Sequence, residues 1–395
     1  MSTKKMFPGL ILCGVPFLMV LGNSMLIPVL PQMKAALSLS QVQVGLVITL
    51  FSVPAGVIIP LFGFLSDHIR RKPIIIISLI IYALGGLLAG FVAAAGWKNA
   101  YFFIMIGRII QGIGAAGTAP LAMALVGDLY QDKMRGRVLG FLEGANGLGK
   151  IASPIIGSLI GLLAWWAVFF LFPLLCIPLI LGLWFGIQEP VKQKEALSFT
   201  RYGEDLGEIF QCKGFALLGA FLAGATVLFV LFGLLFYLSD FLEVKYQLEG
   251  VKKGLIIAIP VLAMTITSSL VGFFITRSAG LSKILVCLGL GLVSGASFLL
   301  VFFKERAFLL VATMVIAGIG TGMALTSLNS FVTGASGKEE RGMITSLYGS
   351  VRFLGVAAGP PTFGFLMEKS LGLTFLLPAI WTGLVGLLNL FPKRQ

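Results

Sequence analysis

The sequence predicts an all-α integral membrane protein, with twelve transmembrane helices in two pseudo-symmetric six-helix bundles. Three observations carry this. Of the 395 residues, 58% are hydrophobic and only 11% charged, with a mean hydropathy of +1.02; soluble domains are about 25% charged. Apolar runs of the ~20 residues needed to cross a ~30 Å hydrocarbon core recur from end to end. Landmarks of the first half also return in the second at one constant offset.

The spans fall at 8–30, 43–65, 73–95, 101–127, 138–162, 165–188, 214–238, 252–276, 283–303, 306–333, 342–367 and 371–392. Each is continuously apolar, unlike the ~10-residue alternating strands of a membrane β-barrel. The first starts weakly basic but lacks a small-residue cleavage site, so it is expected to be a retained helix and not a removed signal peptide. The longest polar stretch, Glu189 to Lys213, holds Pro190 and the acidic residues Glu204, Asp205 and Glu208. It predicts a bundle over 1–188, a cytoplasmic linker over 189–213 and a second bundle over 214–395.

A net charge of +13 could suggest nucleic acid, but its distribution argues otherwise. Of 29 basic residues, 18 lie on the side of the N-terminus, 8 on the other side, and 3 (Arg108, Lys150, Arg352) inside spans. This is the positive-inside asymmetry. It predicts cytoplasmic termini and no nucleic-acid partner. Cys13, Cys176, Cys212 and Cys287 show neither metal nor disulfide spacing, and one histidine cannot build a metal site.

A shift of 206 residues superposes Gly112–Gly114 on Gly318–Gly320, Arg135-Gly136 on Arg341-Gly342, Gly149 on Gly355 and Pro154 on Pro360. Six-helix halves repeated in parallel place a substrate site between them near mid-membrane, which implies a two-bundle transporter. GIGAAG at Gly112 fits the dinucleotide pattern G-x-G-x-x-G. That motif needs a preceding strand and a βαβ unit, so close helix packing explains it better here. The chain has no P-loop and no nucleophile–base–acid set, so neither ATP-driven pumping nor enzymatic catalysis is expected.

Three local patterns give these observations a family. The loop GFLSDHIRRK, Gly63 to Lys72, carries Gly63, Asp67, Arg71 and Lys72. Span four reads RIIQGIGAAG from Arg108. Span five carries Gly140, Gly149, Ser153, Pro154 and Gly157. The chain thereby resembles the major facilitator superfamily over its whole length, and its 12-helix drug:proton antiporter branch in span five. The resemblance implies that Asp67, with Arg71 and Lys72, locks one conformation through charge contacts between helices. It ties Arg108 to proton transfer or helix packing. The loop departs from the family where Arg70 replaces a glycine, and the second copy from Gly272 lacks the acidic residue.

The residues themselves point to further sites. An ion mid-membrane costs about 2.5–3.5 kcal/mol on insertion scales, so such groups are functional candidates. Glu143 is the carboxylate well inside a span, and burial would lift a carboxyl group toward neutral titration. Lys150 lies seven residues on, on the same helix face, with Asn146 between. Glu143 is therefore the expected proton carrier, or a structural ion-pair partner of Lys150 or Arg352. Gln111 shares a face with Arg108. Lys150 and Arg352 make the expected cavity positive and favour an anionic or zwitterionic substrate, with Asn146, Gln111, Asn23, Asn329 and Tyr348 as further lining candidates. Phe229 and Phe232 are weaker ones, better explained by packing. The expected activity is proton-coupled efflux of small molecules or drugs by alternating access, driven by the proton gradient without a cofactor, in a monomer within the lipid bilayer. The alternatives are an exporter or flippase of an anionic metabolite, siderophore or lipid, and, outside transport, a membrane enzyme or receptor.

Overall fold

The computed structural model describes residues 3–189, 199–275, 279–334 and 341–390, all of it helix, turn or short connection. The chain forms two compact units. One comprises Met1–Ala196 with Ser239–Ala258, the other Leu197–Leu238 with Ile259–Gln395. The segment Ser239–Ala258 thus clusters with the first unit, outside the boundary expected from the linker. Residues 190–198 of that expected linker lie outside the described residues.

The first unit opens with α1 (Thr3–Ser24), a 3₁₀ turn (Ile27–Val29) and α2 (Leu30–Leu37). Sequence reading expected one continuous span. The chain breaks because Pro28 and Pro31 both lack the N–H that a helix interior needs. α3 (Gln41–His68) starts on a capping box: Ser40 Oγ accepts from Gln43 N at 3.2 Å, and Gln43 Oε1 accepts from Ser40 N at 2.9 Å. α4 (Arg71–Ala94) follows. The fourth span, also expected to be continuous, divides at Gly117–Thr118 into α5 (Ala100–Ala116) and α6 (Ala119–Leu129), with Pro120 in the first turn of α6. α7 (Asp132–Gly161) and α8 (Ala167–Gly186) complete this part.

α9 (Phe199–Tyr246) is one helix of 48 residues, running from the second unit into the first. α10 (Gly250–Ile275) returns, and α11 (Ala279–Phe303), α12 (Ala307–Gly334), α13 (Arg341–Lys369) and α14 (Leu371–Leu390) finish the second unit. Among the described residues, 10 helical stretches are long and apolar enough to cross a membrane. The other two of the twelve are α7 and α13, of 30 and 29 residues, long enough but too rich in glycine and charge. These two are mates under the 206-residue repeat. In both halves the span richest in glycine and charge is therefore the same one.

The repeat extends to packing. In the first unit α4 lies against α5 and α8; in the second α11 lies against α12 and α14. The two Gly-Ile-Gly sequences do the same work in each. A Cβ at Gly112 would strike the Phe51 carbonyl of α3, and one at Gly114 would lie 2.6 Å from the Ser78 carbonyl of α4. In the second unit a Cβ at Gly318 would strike the Pro260 carbonyl of α10, and one at Gly320 would lie 2.6 Å from the Gly289 carbonyl of α11. Missing side chains let backbones approach where lipid provides no hydrophobic driving force. Gly112→Leu and Gly318→Leu should each cost several kcal/mol, beyond the ~1–3 kcal/mol of ordinary overpacking, because the obstacle is backbone. Gly291→Leu, where a Cβ meets nothing within 4 Å, should be tolerated. Thermal unfolding of the detergent-purified proteins measures the difference.

Candidate functional site

Arg108 sits in α5 with 0% exposure. Its Nε donates to the Val47 carbonyl at 2.9 Å, one terminal nitrogen to Gln111 Oε1 at 2.8 Å and the other to Asn23 Oδ1 at 3.0 Å. Asn23 Nδ2 donates in turn to Ser52 Oγ at 2.7 Å, and the guanidinium lies 4.4 Å from the centre of the Phe51 ring. Among the described residues no carboxylate pairs with it. A buried cation is tolerable only when its donors are used, and neutral oxygens with an aromatic face do that here. The arrangement braces α1, α3 and α5 against one another. Gln111 Nε2 remains buried without a partner, the one open polar position at this cage. Arg108 and Gln111 were expected on one helix face and Asn23 apart from them; the fold brings all three together.

A second polar cluster lies where α4 begins. One Glu189 oxygen accepts the Arg71 backbone N–H at 2.7 Å and the other accepts that of Lys72 at 3.0 Å. These are orphan donors of the first turn of α4, so Glu189 caps that helix from the end of α8. Lys72 Nζ donates to the carbonyls of Trp184 at 2.8 Å and Ile187 at 2.7 Å, at the same C-terminal end of α8. The Arg71 guanidinium pairs with Asp128 at the end of α6. Gly63 contributes its carbonyl, which accepts from Ser66 Oγ at 2.8 Å. The Asp67 side chain lies outside the described residues.

α7 has two faces. A Cβ at Gly149 would lie 3.1 Å from the Phe17 carbonyl, and one at Gly157 would strike that of Met25, so this row lies against α1. Ser153 Oγ bonds back to the Gly149 carbonyl, and Pro154 is buried on the same side. Gly140 does not share this packing role. A Cβ there, or at Gly136 or Gly144, meets nothing within 4 Å. The reason is helical geometry: nine residues at 100° each put Gly140 on the face opposite Gly149. Glu143 lies on this open side and is exposed, with Asn146 and Lys150 half-buried. Glu143 is therefore not buried by the protein as expected, and no described residue bonds to its side chain. No bond joins it to Lys150 or Arg108.

In the second unit three candidates meet. An Arg352 terminal nitrogen lies 3.4 Å from Asn329 Oδ1, and its guanidinium 5.5 Å from the centre of the Tyr348 ring. Arg352 Nε and the Tyr348 hydroxyl are buried without partners, while Asn329 is exposed. Two unused donors beside an open asparagine form a place where an anion's oxygens could bind. Phe229 packs on Phe363 with ring centres 5.8 Å apart and Phe232 is half-buried.

The chain matches the family profile described as Major Facilitator Superfamily over residues 12–360 and 253–395. The chain belongs to the major facilitator superfamily. It is a multi-pass membrane transporter of this superfamily, not an enzyme. It is 40% identical over 370 residues to the bacillibactin exporter of Bacillus subtilis, spanning 93% of this chain and 92% of that one. It is 24% identical to the multidrug transporter protein MdtP of the same species, over 82% of this chain and 68% of that one. Its fold is that of a bacterial homolog of the human lysosomal transporter Spinster in an inward-facing, occupied conformation, with a TM-score of 0.78, 17% identity and coverage of 98% and 97%.

Sequence reasoning missed Asp128 and Glu189. Both sit just beyond expected span ends, where a carboxylate looks like ordinary loop charge; the available signal was an acid among the basic residues of that side. Arg108→Ala should lower the thermal unfolding midpoint by on the order of 5–10 °C, since it strands Asn23, Gln111 and the Val47 carbonyl. Arg108→Lys should recover only part of this, because one ammonium cannot reproduce the planar fork. Thermal denaturation in detergent checks both.

Proposed function

We propose that this superfamily member exports a small anionic molecule of the siderophore kind from a bacterial cytoplasm, by alternating access and in exchange for protons. The observation that carries the reading is the 40% identity to a bacillibactin exporter across 93% of the chain. The side chains agree with it in sign. Lys150 and Arg352 are intramembrane cations, and Arg352 has a buried donor to spare. In this reading Arg352, Tyr348, Asn329, Lys150 and Asn146 face the substrate, with Gln111 and Asn23 holding Arg108. Glu143 carries the proton: a carboxylate this exposed within a span faces water and not lipid. Arg108 is its electrostatic partner across the unit or a static brace. Asp67, Arg71 and Lys72 act with Asp128 as a conformational lock. Both termini are cytoplasmic, the driving force is the proton gradient with no bound cofactor, and the working unit is a monomer.

A second reading, efflux of drugs, is favoured by the likeness to the multidrug transporter over 82% of the chain. Charge separates the two. In proteoliposomes with the outside acidified, the native protein should export bacillibactin, and Glu143→Gln should lose the dependence on the pH gradient. Undiminished gradient-driven export by Glu143→Gln removes the proton role. Arg352→Ala and Lys150→Ala should each cut export of the anion by roughly tenfold or more, the effect of losing one charge-assisted bond, while leaving any flux of lipophilic cations intact. The reverse selectivity favours drug efflux.

A further inference from the structure

Lys253, at the start of α10, has 1% exposure and so is as buried as the hydrophobic core, though it lies in a stretch that carried no role in transport above. Its Nζ donates to the Pro28 carbonyl at 2.6 Å and pairs with Glu243 Oε2 at 2.6 Å. The Pro28 carbonyl is available because the chain is irregular there. One residue away, Pro31 denies the Ile27 carbonyl the donor an uninterrupted helix would supply. Ser239 Oγ fills that position at 2.7 Å. Asp240 accepts from Gln41 Nε2 at 2.8 Å and faces Lys34 Nζ at 4.0 Å. Two helix-break carbonyls of the first span and the start of α3 are thus held by one segment, Ser239–Ala258.

The backbone fits as closely as the side chains. A Cβ at Gly254 would lie 2.6 Å from the Pro154 carbonyl and 2.8 Å from Ile155 Cα, so only glycine allows this approach to α7. Gly250, which begins α10, has φ +61°, a conformation glycine adopts without strain. The segment covers Ser158, which is 4% exposed with a buried hydroxyl lacking a partner.

We propose that Lys253 is the bolt of an extracellular latch. It fastens the turn between α9 and α10 to the proline break of the first span, and it must release before the outer side can open. Breaking a buried pair by removing one member is strongly unfavourable, whereas withdrawing the whole segment moves both partners together into water. The latch can therefore hold firmly yet open as a unit. The proposal rests on the reading of the chain as an alternating-access exporter oriented with its termini in the cytoplasm.

The test reads the latch without substrate, so it is separable from the transport assay. In full-length protein with the four native cysteines replaced by serine, Ser158→Cys is labelled in intact cells with a membrane-impermeant maleimide. Labelling should be slow with the latch intact. Glu243→Gln and Lys253→Met should raise its rate about tenfold, and Ser239→Ala about threefold, as expected when a charge-assisted or a neutral hydrogen bond is lost from the closed state. Ser239→Ala deletes a single hydroxyl and keeps the charge pair, so it stays informative if Lys253→Met does not fold. Unchanged labelling in Ser239→Ala and Glu243→Gln overturns the latch, whether or not bacillibactin is transported. Raised labelling with no bacillibactin export by the native chain upholds the latch and refutes bacillibactin as the cargo.

Discussion

Hydrocarbon offers no hydrogen bonds, so every backbone polar group in this protein's spans must find its partner in the protein itself. The structure follows from how that demand is met. Where the backbone is regular, each helix satisfies its own groups, and glycine rows let helices close on one another. Where proline breaks the ladder, a side chain from elsewhere in the same unit takes over, as Ser239 does for Ile27. Where a helix starts, a neighbour's carboxylate covers the orphan donors, as Glu189 does for α4. Charges follow the same rule. Arg108 is admitted because three neutral oxygens and the Phe51 ring surround it.

The same demand separates static from working groups. Arg108 is held on every side, and moving it would strand three partners at once. Arg352 is held by one longer contact of 3.4 Å and has a nitrogen unused. Glu143 is held by no described side chain. The two units are thus alike in backbone and unlike in chemistry. The first unit holds Arg108 in a closed cage, while the second leaves an Arg352 nitrogen without a partner.

Composition alone made the helical membrane fold legible, and the constant offset made its twofold repeat legible. The offset marks positions where backbones nearly touch, and contacts of that kind tolerate almost no substitution in geometry. What the sequence left hidden has a common cause. Span breaks at Pro31 and Gly117 depend on a local failure of the ladder inside runs that stay apolar. Gly140 looked like part of a packing row because its motif is continuous in sequence, while a helix turns it to the opposite face. Asp128 and Glu189 gain meaning only from Arg71 and the first turn of α4, more than fifty residues away in sequence. The packing around Glu143 could not be read from its depth in a span, because the open glycines beside it leave that face uncovered by protein.

One feature of α9 bears on mechanics. Its 48 residues contain no proline, whereas α1, α3, α7, α8, α10, α13 and α14 each contain at least one. Kinks in helices arise mostly at proline and other defined interruptions. α9 thus behaves as a stiff rod, about 70 Å long at 1.5 Å per residue. It carries no proline at Leu238–Ser239, where the chain passes from one unit's residues to the other's. Displacement at one end is therefore passed along this helix with little of it absorbed in bending.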